Sequence, residues 1–142
     1  TSEMLEAVLD NSSKADTVIM AAAVADYRPK VKSQKSKVKK NEGNLDLDLE
    51  QTEDILQTIA KQKGRKGRKL IGFALETEHL IENARAKLKA KDLDLIVANG
   101  PESFGGDSAK VSIINRAGKV ENLPELPKAE VADRILDAIL RL

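Results

Sequence analysis

A chain of 142 residues, 41% hydrophobic and 33% charged, has the size and composition of one soluble domain with a single core. Its 24 Lys and Arg against 23 Asp and Glu leave a formal charge of +1, so nothing draws the whole molecule to nucleic acid or anionic membrane, and any anion site must rest on local placement. The absence of cysteine excludes disulfides, thiolate metal sites and a cysteine nucleophile, and the single histidine, His79, excludes a multi-histidine metal cluster.

Three aromatic residues, Tyr27, Phe73 and Phe104, are too few for an RNA-binding sheet with several stacking rings. No apolar run approaches the roughly 18 residues that span a bilayer, and no signal peptide is visible. The expected location is the cytoplasm, with neither membrane nor nucleic acid as a partner.

In chain order, Ser2 is placed to cap a helix running to about residue 15, with Glu3 in its first turn and Leu5, Val8 and Leu9 on one face. Residues 17–24 are short, apolar on both faces and β-branched at the start, which predicts a buried parallel strand. Asp26-Tyr27-Arg28-Pro29 ends it. The basic residues 30–40 form a loop or an edge strand. Leu45-Asp46-Leu47-Asp48-Leu49 alternates strictly, a half-exposed strand that can pair with residues 37–40 across Asn41-Glu42-Gly43-Asn44. Thr52 is positioned to cap the next helix, with Glu53 and Asp54 at its positive end and Ile55, Leu56 and Ile59 on its core face; Gly64 and the basic run after it break the helix.

Residues 70–75 predict a second buried strand, 79–91 a helix and 93–98 a third buried strand. A glycine-containing loop over 99–109 follows. Residues 111–115 and 120–123 form a hairpin through Ala117-Gly118. Pro127 opens a last helix whose inner face carries Val131, Ile135, Leu136, Ile139 and Leu140. This alternation of helix and strand is the signature of an α/β domain with a mostly parallel sheet plus hairpin extensions, covering residues 1–142. Ligands bind such sheets beyond the carboxyl ends of the strands, here near residues 24–28, 73–77 and 99–106.

Several residues at those ends can carry chemistry. At about 100° per residue, Lys91 falls in the buried sector of the third helix with Leu80, Ile81, Ala84 and Leu88, and Lys87 lies at its border. An anion at the strand ends would explain two cations on the inner side; alternatively both snorkel outward and complement the helix's negative end. Lys37 and Lys39 share one face of a strand-like segment, suited to polyphosphate or to a solvated sheet edge. Asp26 follows a buried strand directly, where a carboxylate either meets a ligand or caps the turn before Pro29. Phe73 either packs on a base or belongs to the core. Glu76 and Thr77 are ligand contacts or a helix cap, the cap being preferred. His79 is read as an exposed residue without a role. No P-loop and no G-x-G-x-x-G pattern occurs.

Taken together, Ala21-Ala22-Ala23-Val24-Ala25-Asp26-Tyr27-Arg28-Pro29, Lys37-Val38-Lys39-Lys40, Ile71-Gly72-Phe73-Ala74-Leu75-Glu76-Thr77 and Leu93-Asp94-Leu95-Ile96-Val97-Ala98-Asn99 resemble, in order and through nearly the whole chain, the motifs of the phosphopantothenate–cysteine ligases. The resemblance implies a Rossmann-like three-layer fold. It implies nucleotide contacts from Met20, Ala21, Ala22, Asp26, Phe73, Lys87 and Lys91, and from the helix start at Glu53, Asp54, Ile55 and Leu56, with Lys37 as nucleotide-binding and catalytic cation. Glu53 stands where the family commonly has proline. The substrates implied are CTP, 4′-phosphopantothenate and cysteine, joined through an acyl-cytidylate. Mg²⁺ would accompany CTP, and no flavin is expected in this domain. A homodimer and association with a flavin-dependent decarboxylase domain are also implied. The family's glycine-rich G-G-T segment and R-x-x-x-N stretch are not found ahead of Thr1, so the chain is expected to be an N-terminally shortened form that binds nucleotide better than it catalyses.

Overall fold

A computed structural model describes residues 1–30, 47–62, 67–103 and 105–142. In chain order the elements are α1 (Ser2–Ser12), β1 (Thr17–Met20), β2 (Tyr27–Pro29), β3 (Leu49–Gln51), α2 (Ile55–Ala60), β4 (Lys69–Leu75), α3 (Leu80–Ala90), β5 (Leu95–Asn99), a 3₁₀ turn (Pro101–Ser103), β6 (Ser108–Ala109), β7 (Val111–Asn115), β8 (Val120–Asn122), β9 (Leu126–Pro127) and α4 (Lys128–Leu140).

The central sheet has the order β1-β4-β5-β7-β8. β1, β4 and β5 run parallel, and β7 and β8 add an antiparallel hairpin at one side. Two short antiparallel ladders, β2 with β3 and β6 with β9, complete it. The apolar runs on β4 and β5 are continuous because both faces of the sheet are covered. Leu70, Ala74 and Ile96 pack with Ile55, Ile59, Ala84 and Leu88 from α2 and α3 on one side, where α1 also contributes Leu5 and Val8. Ile71, Leu95 and Val97 pack with Val131, Ile135 and Ile139 of α4 on the other. This is the expected three-layer α/β arrangement. Gly72 lets α2 close on the sheet: a Cβ there would stand 2.7 Å from Leu93 Cδ1 and 3.2 Å from Leu56 Cδ1.

Several local expectations are corrected. Thr1, not Ser2, holds the cap position of α1, and it makes no side-chain cap bond; the Ser2 hydroxyl accepts from Arg28 Nη1 at 3.0 Å instead. α1 stops at Ser12. β1 ends at Met20, and Ile19 remains 43% exposed, because β1 lies at the sheet margin and α4 does not reach over it. Tyr27–Pro29 is not merely a stop but a strand, paired Tyr27↔Gln51 and Pro29↔Leu49. Of the expected pairing of 45–49 with 37–40, residues 37–46 lie outside the described residues, and Leu49 opens β3 and pairs with Pro29.

Asp54, not Thr52, caps α2 through a bond from the Gln57 amide, and α2 is over by Ala60, before Gly64. On α4, Leu136 and Leu140 are exposed and Ala138 is buried in their place. Pro127 sits one residue earlier than expected, at the cap. The loop after β5 contains the 3₁₀ turn and β6.

Candidate functional site

The carboxyl ends of β1 and β4 and the start of α2 enclose a cleft of about 150 Å³. Met20 and Phe73 come from the strand ends; Ala22, Val24, Ala25 and Asp26 from the segment that leaves β1. Glu53, Asp54, Ile55 and Leu56 enter from the α2 side, with Gln51 and Thr52 before them, and Lys91 enters from the end of α3. Nine residues anticipated from sequence therefore meet in one place: Met20, Ala22, Asp26, Glu53, Asp54, Ile55, Leu56, Phe73 and Lys91. Ala21 is exposed beside the cleft but does not line it. Lys37 lies outside the described residues.

The fold fixes this wall by hydrogen bonds that sequence reading missed. The Ala25 carbonyl accepts from the hydroxyls of Thr1 at 3.2 Å and Thr52 at 2.6 Å. The Thr52 amide donates to Asp26 O at 2.8 Å, and Arg28 Nε donates to Glu50 Oε1 at 2.7 Å. The segment after β1 is thus tied both to α1 and to β3. Thr52 was a visible polar residue before a helix, yet its partner is 27 positions away, beyond the reach of a local pattern.

Lys91 resolves the choice left open between an inward and an outward ammonium. Its Nζ sits 2.8 Å from Asp54 Oδ2, with the two side chains 33% and 37% exposed. Burial pushes the Asp54 carboxyl up, but the hydrogen bond from Lys91, the amide of Gln57, the Lys91 charge and the amide of Leu56 together outweigh it and hold the group below the ordinary aspartate range. Asp54 thereby performs two tasks with two oxygens: Oδ1 caps α2 at 3.0 Å from Gln57 N, and Oδ2 holds the lysine.

Lys87 stands one turn earlier on α3 and does not line the cleft. Its Nζ lies 2.6 Å from Glu76 Oε1, just beyond the end of β4. Glu76 is consequently not a helix cap; His79 occupies that position, with φ 49° and no side-chain cap bond. His79 is exposed, as expected, and its ring lies 3.3 Å from Glu82.

The charged side chains lining the cleft are Asp26, Glu53, Asp54 and Lys91, three carboxylates and one ammonium among the described residues. Glu53, exposed at the cleft, makes this wall more acidic than proline would. Such a wall suits the hydroxyl and amino donors of a nucleoside better than phosphate oxygens, which need cations. Among the described residues, no group of three or more His, Asp or Glu side chains is arranged to hold a metal ion. The donors fit Mg²⁺ only in its usual guise, an ion carried on phosphates and keeping water, with one or two carboxylates nearby. No helix among the described residues is long and apolar enough to cross a membrane.

The family model of the DNA/pantothenate metabolism flavoprotein C-terminal domain matches residues 1–142. The chain is 42% identical over 144 residues to the Coenzyme A biosynthesis bifunctional protein CoaBC of Bacillus subtilis, covering 99% of this chain and 35% of that protein. It is 40% identical over 144 residues to a Cysteine/Cysteine sulfinic acid decarboxylase of an unknown prokaryotic organism, covering 99% of this chain and 40% of that one. Among solved structures, the C-terminal domain of a CoaBC protein is similar with a TM-score of 0.77 and 37% identity, covering 98% of this chain and 60% of that one. The chain therefore spans less than half the length of these two curated relatives.

Proposed function

The chain belongs to the DNA/pantothenate metabolism flavoprotein C-terminal domain family, and on that premise we propose that it is the nucleotide-binding part of a phosphopantothenate–cysteine ligase acting in coenzyme A biosynthesis. The single observation that carries this reading is the convergence of Asp26, Phe73 and Lys91, from three separate stretches of the chain, on one cleft at the strand ends.

A carboxylate does not condense with an amine in water without activation. In the proposed reaction the carboxylate of 4′-phosphopantothenate attacks the α-phosphorus of CTP, forming an acyl-cytidylate and releasing pyrophosphate. The amine of cysteine then attacks the acyl carbon, giving the amide and CMP. The protein's task in the first step is to orient the two anions and offset their charge, which is electrostatic stabilisation rather than covalent catalysis. Phe73 offers an apolar ring, 38% exposed at the end of β4, against which a base can lie. Asp26 and the backbone after Met20 take the nucleoside. Lys91, Lys87 and Lys37 meet the phosphates, with Lys37 as the catalytic cation. Mg²⁺ bound to the triphosphate would add charge neutralisation, and Asp26 and Glu53 are carboxylates of the cleft that could help hold it.

The same reading gives the protein a homodimeric state, a cytoplasmic location and a flavin-dependent decarboxylase domain as neighbour, in keeping with the bifunctional name of its relatives. A second reading is a piece that binds nucleotide without turning it over. The acidic balance of the described cleft wall favours it. Pyrophosphate release in the presence of CTP, phosphopantothenate and cysteine separates the two: CTP binding with no pyrophosphate above background supports the second.

A further inference from the structure

We propose that Glu76 is a positioning residue that holds the Lys87 ammonium over the strand ends for a polyphosphate. The inference rests on the nucleotide-binding reading and adds to it a residue that touches no substrate.

Lys87 and Lys91 are like charges four apart on one helix, an arrangement that repels. The fold gives each its own carboxylate from a different element. Asp54 at the start of α2 takes Lys91, and Glu76 beyond β4 takes Lys87. The second pair is unequal. The Glu76 side chain is 11% exposed while Lys87 is 47% exposed. Two other ion pairs among the described residues are exposed on both sides: Arg28–Glu50 is 55% and 39% exposed, Arg141–Glu121 61% and 41%. A surface pair of that kind adds little to stability.

Glu76 is itself fixed from several sides. Its amide donates to Asn99 O on β5 at 3.0 Å, and Asn83 Nδ2 on α3 donates to its Oε2 at 3.2 Å. Oε1 is buried, and among the described residues its close partner is the Lys87 ammonium at 2.6 Å. A desolvated carboxylate left without a cation is costly, so the pair is retained strongly on the acid's side. The flexible lysine is what the rigid acid orders. The 2.6 Å contact is an ion pair without hydrogen-bond geometry, so the N–H donors of the ammonium stay available to phosphate oxygens. The carboxylate itself would repel phosphate, so its role is to place Lys87, not to bind.

Glu76→Gln preserves size and the capacity to bond Asn83 but removes the charge. Positioning predicts CTP affinity about tenfold weaker, the equivalent of one lost charge-assisted hydrogen bond. It predicts a similar loss in Lys87→Gln and no further loss in the double variant. Simple charge arithmetic predicts the opposite sign, since an anion is removed from the ligand's surroundings. Tighter or unchanged CTP binding in E76Q, with the wild type binding CTP and K87Q impaired, would overturn the inference alone. A wild type that does not bind CTP removes the nucleotide reading along with it. A measurement on the unaltered chain guards against a misfolded variant. Reductive methylation read by mass spectrometry should modify Lys87 more slowly than Lys89, and CTP should slow Lys87 further. Equal rates, or no effect of CTP on Lys87, would overturn the proposal.

Discussion

Replacing Asp54 by Ala and, separately, by Asn divides its two tasks. Asp54→Ala removes both the cap on α2 and the partner of Lys91. Losing an Asp cap costs about 1 kcal/mol, and an ion pair whose members are each about one-third exposed contributes about 0.5 kcal/mol. The sum is about 1.5 kcal/mol, which for a domain of 142 residues lowers Tm by about 5 °C. Asp54→Asn retains a side-chain oxygen for the Gln57 amide, and Asn caps as well as Asp. It forfeits only the ion pair, about 0.5 kcal/mol or about 2 °C. Thermal unfolding followed by circular dichroism at neutral pH reads both. If the Asn variant falls as far as the Ala variant, the cap at 3.0 Å contributes nothing and the assignment of two roles to two oxygens is wrong.

The same residue sets a pH dependence. Its folded pKa is depressed, chiefly by Lys91 and the α2 amides acting against burial, so its stabilisation is present above the unfolded value of about 4 and is lost as pH falls through the folded one. The Tm gap between wild type and Asp54→Asn should therefore shrink below pH 4; a gap that widens in acid contradicts this. Gly72→Ala should cost about 1–3 kcal/mol, because the added Cβ collides with Leu93 in a packed core, and unchanged urea unfolding would show that the Leu93 side chain has room to move aside. Lys91→Gln and Lys37→Gln should weaken CTP binding in isothermal titration while leaving a folded domain; full CTP affinity in both would return these lysines to a solvated surface.

What could be read in advance followed from local signals. The continuous apolar runs of β4 and β5 announce burial on two faces, and the 3.6-residue spacing of Ala84 and Leu88 orients α3 but leaves Lys91 free to turn inward or snorkel out, a choice that Asp54 decides. Asp26 stands directly after a buried strand and Phe73 interrupts one, and the fold brings both to the cleft. The failures share a different cause. Ala21-Ala22-Ala23-Val24 is as apolar as a strand, and nothing local says that the chain leaves the sheet at Met20 to bond with Thr1 and Thr52. Thr52 and Asp54 are both good caps; the choice depends on the angle at which β3 delivers the chain. Glu76 reads as a cap by position, and only the packing of α3 against β4 reveals that Lys87 is its partner.

Nucleotide binding at the strand ends is tested most directly by thermal unfolding of the chain with CTP, ATP or NAD, each titrated with Mg²⁺ present. CTP at about 100 times its Kd should raise the unfolding free energy by about 2.7 kcal/mol, with NAD giving no shift and Lys91→Gln requiring more CTP for the same effect. Stabilisation by NAD in preference to CTP, or a CTP response that Lys91→Gln leaves untouched, would contradict it.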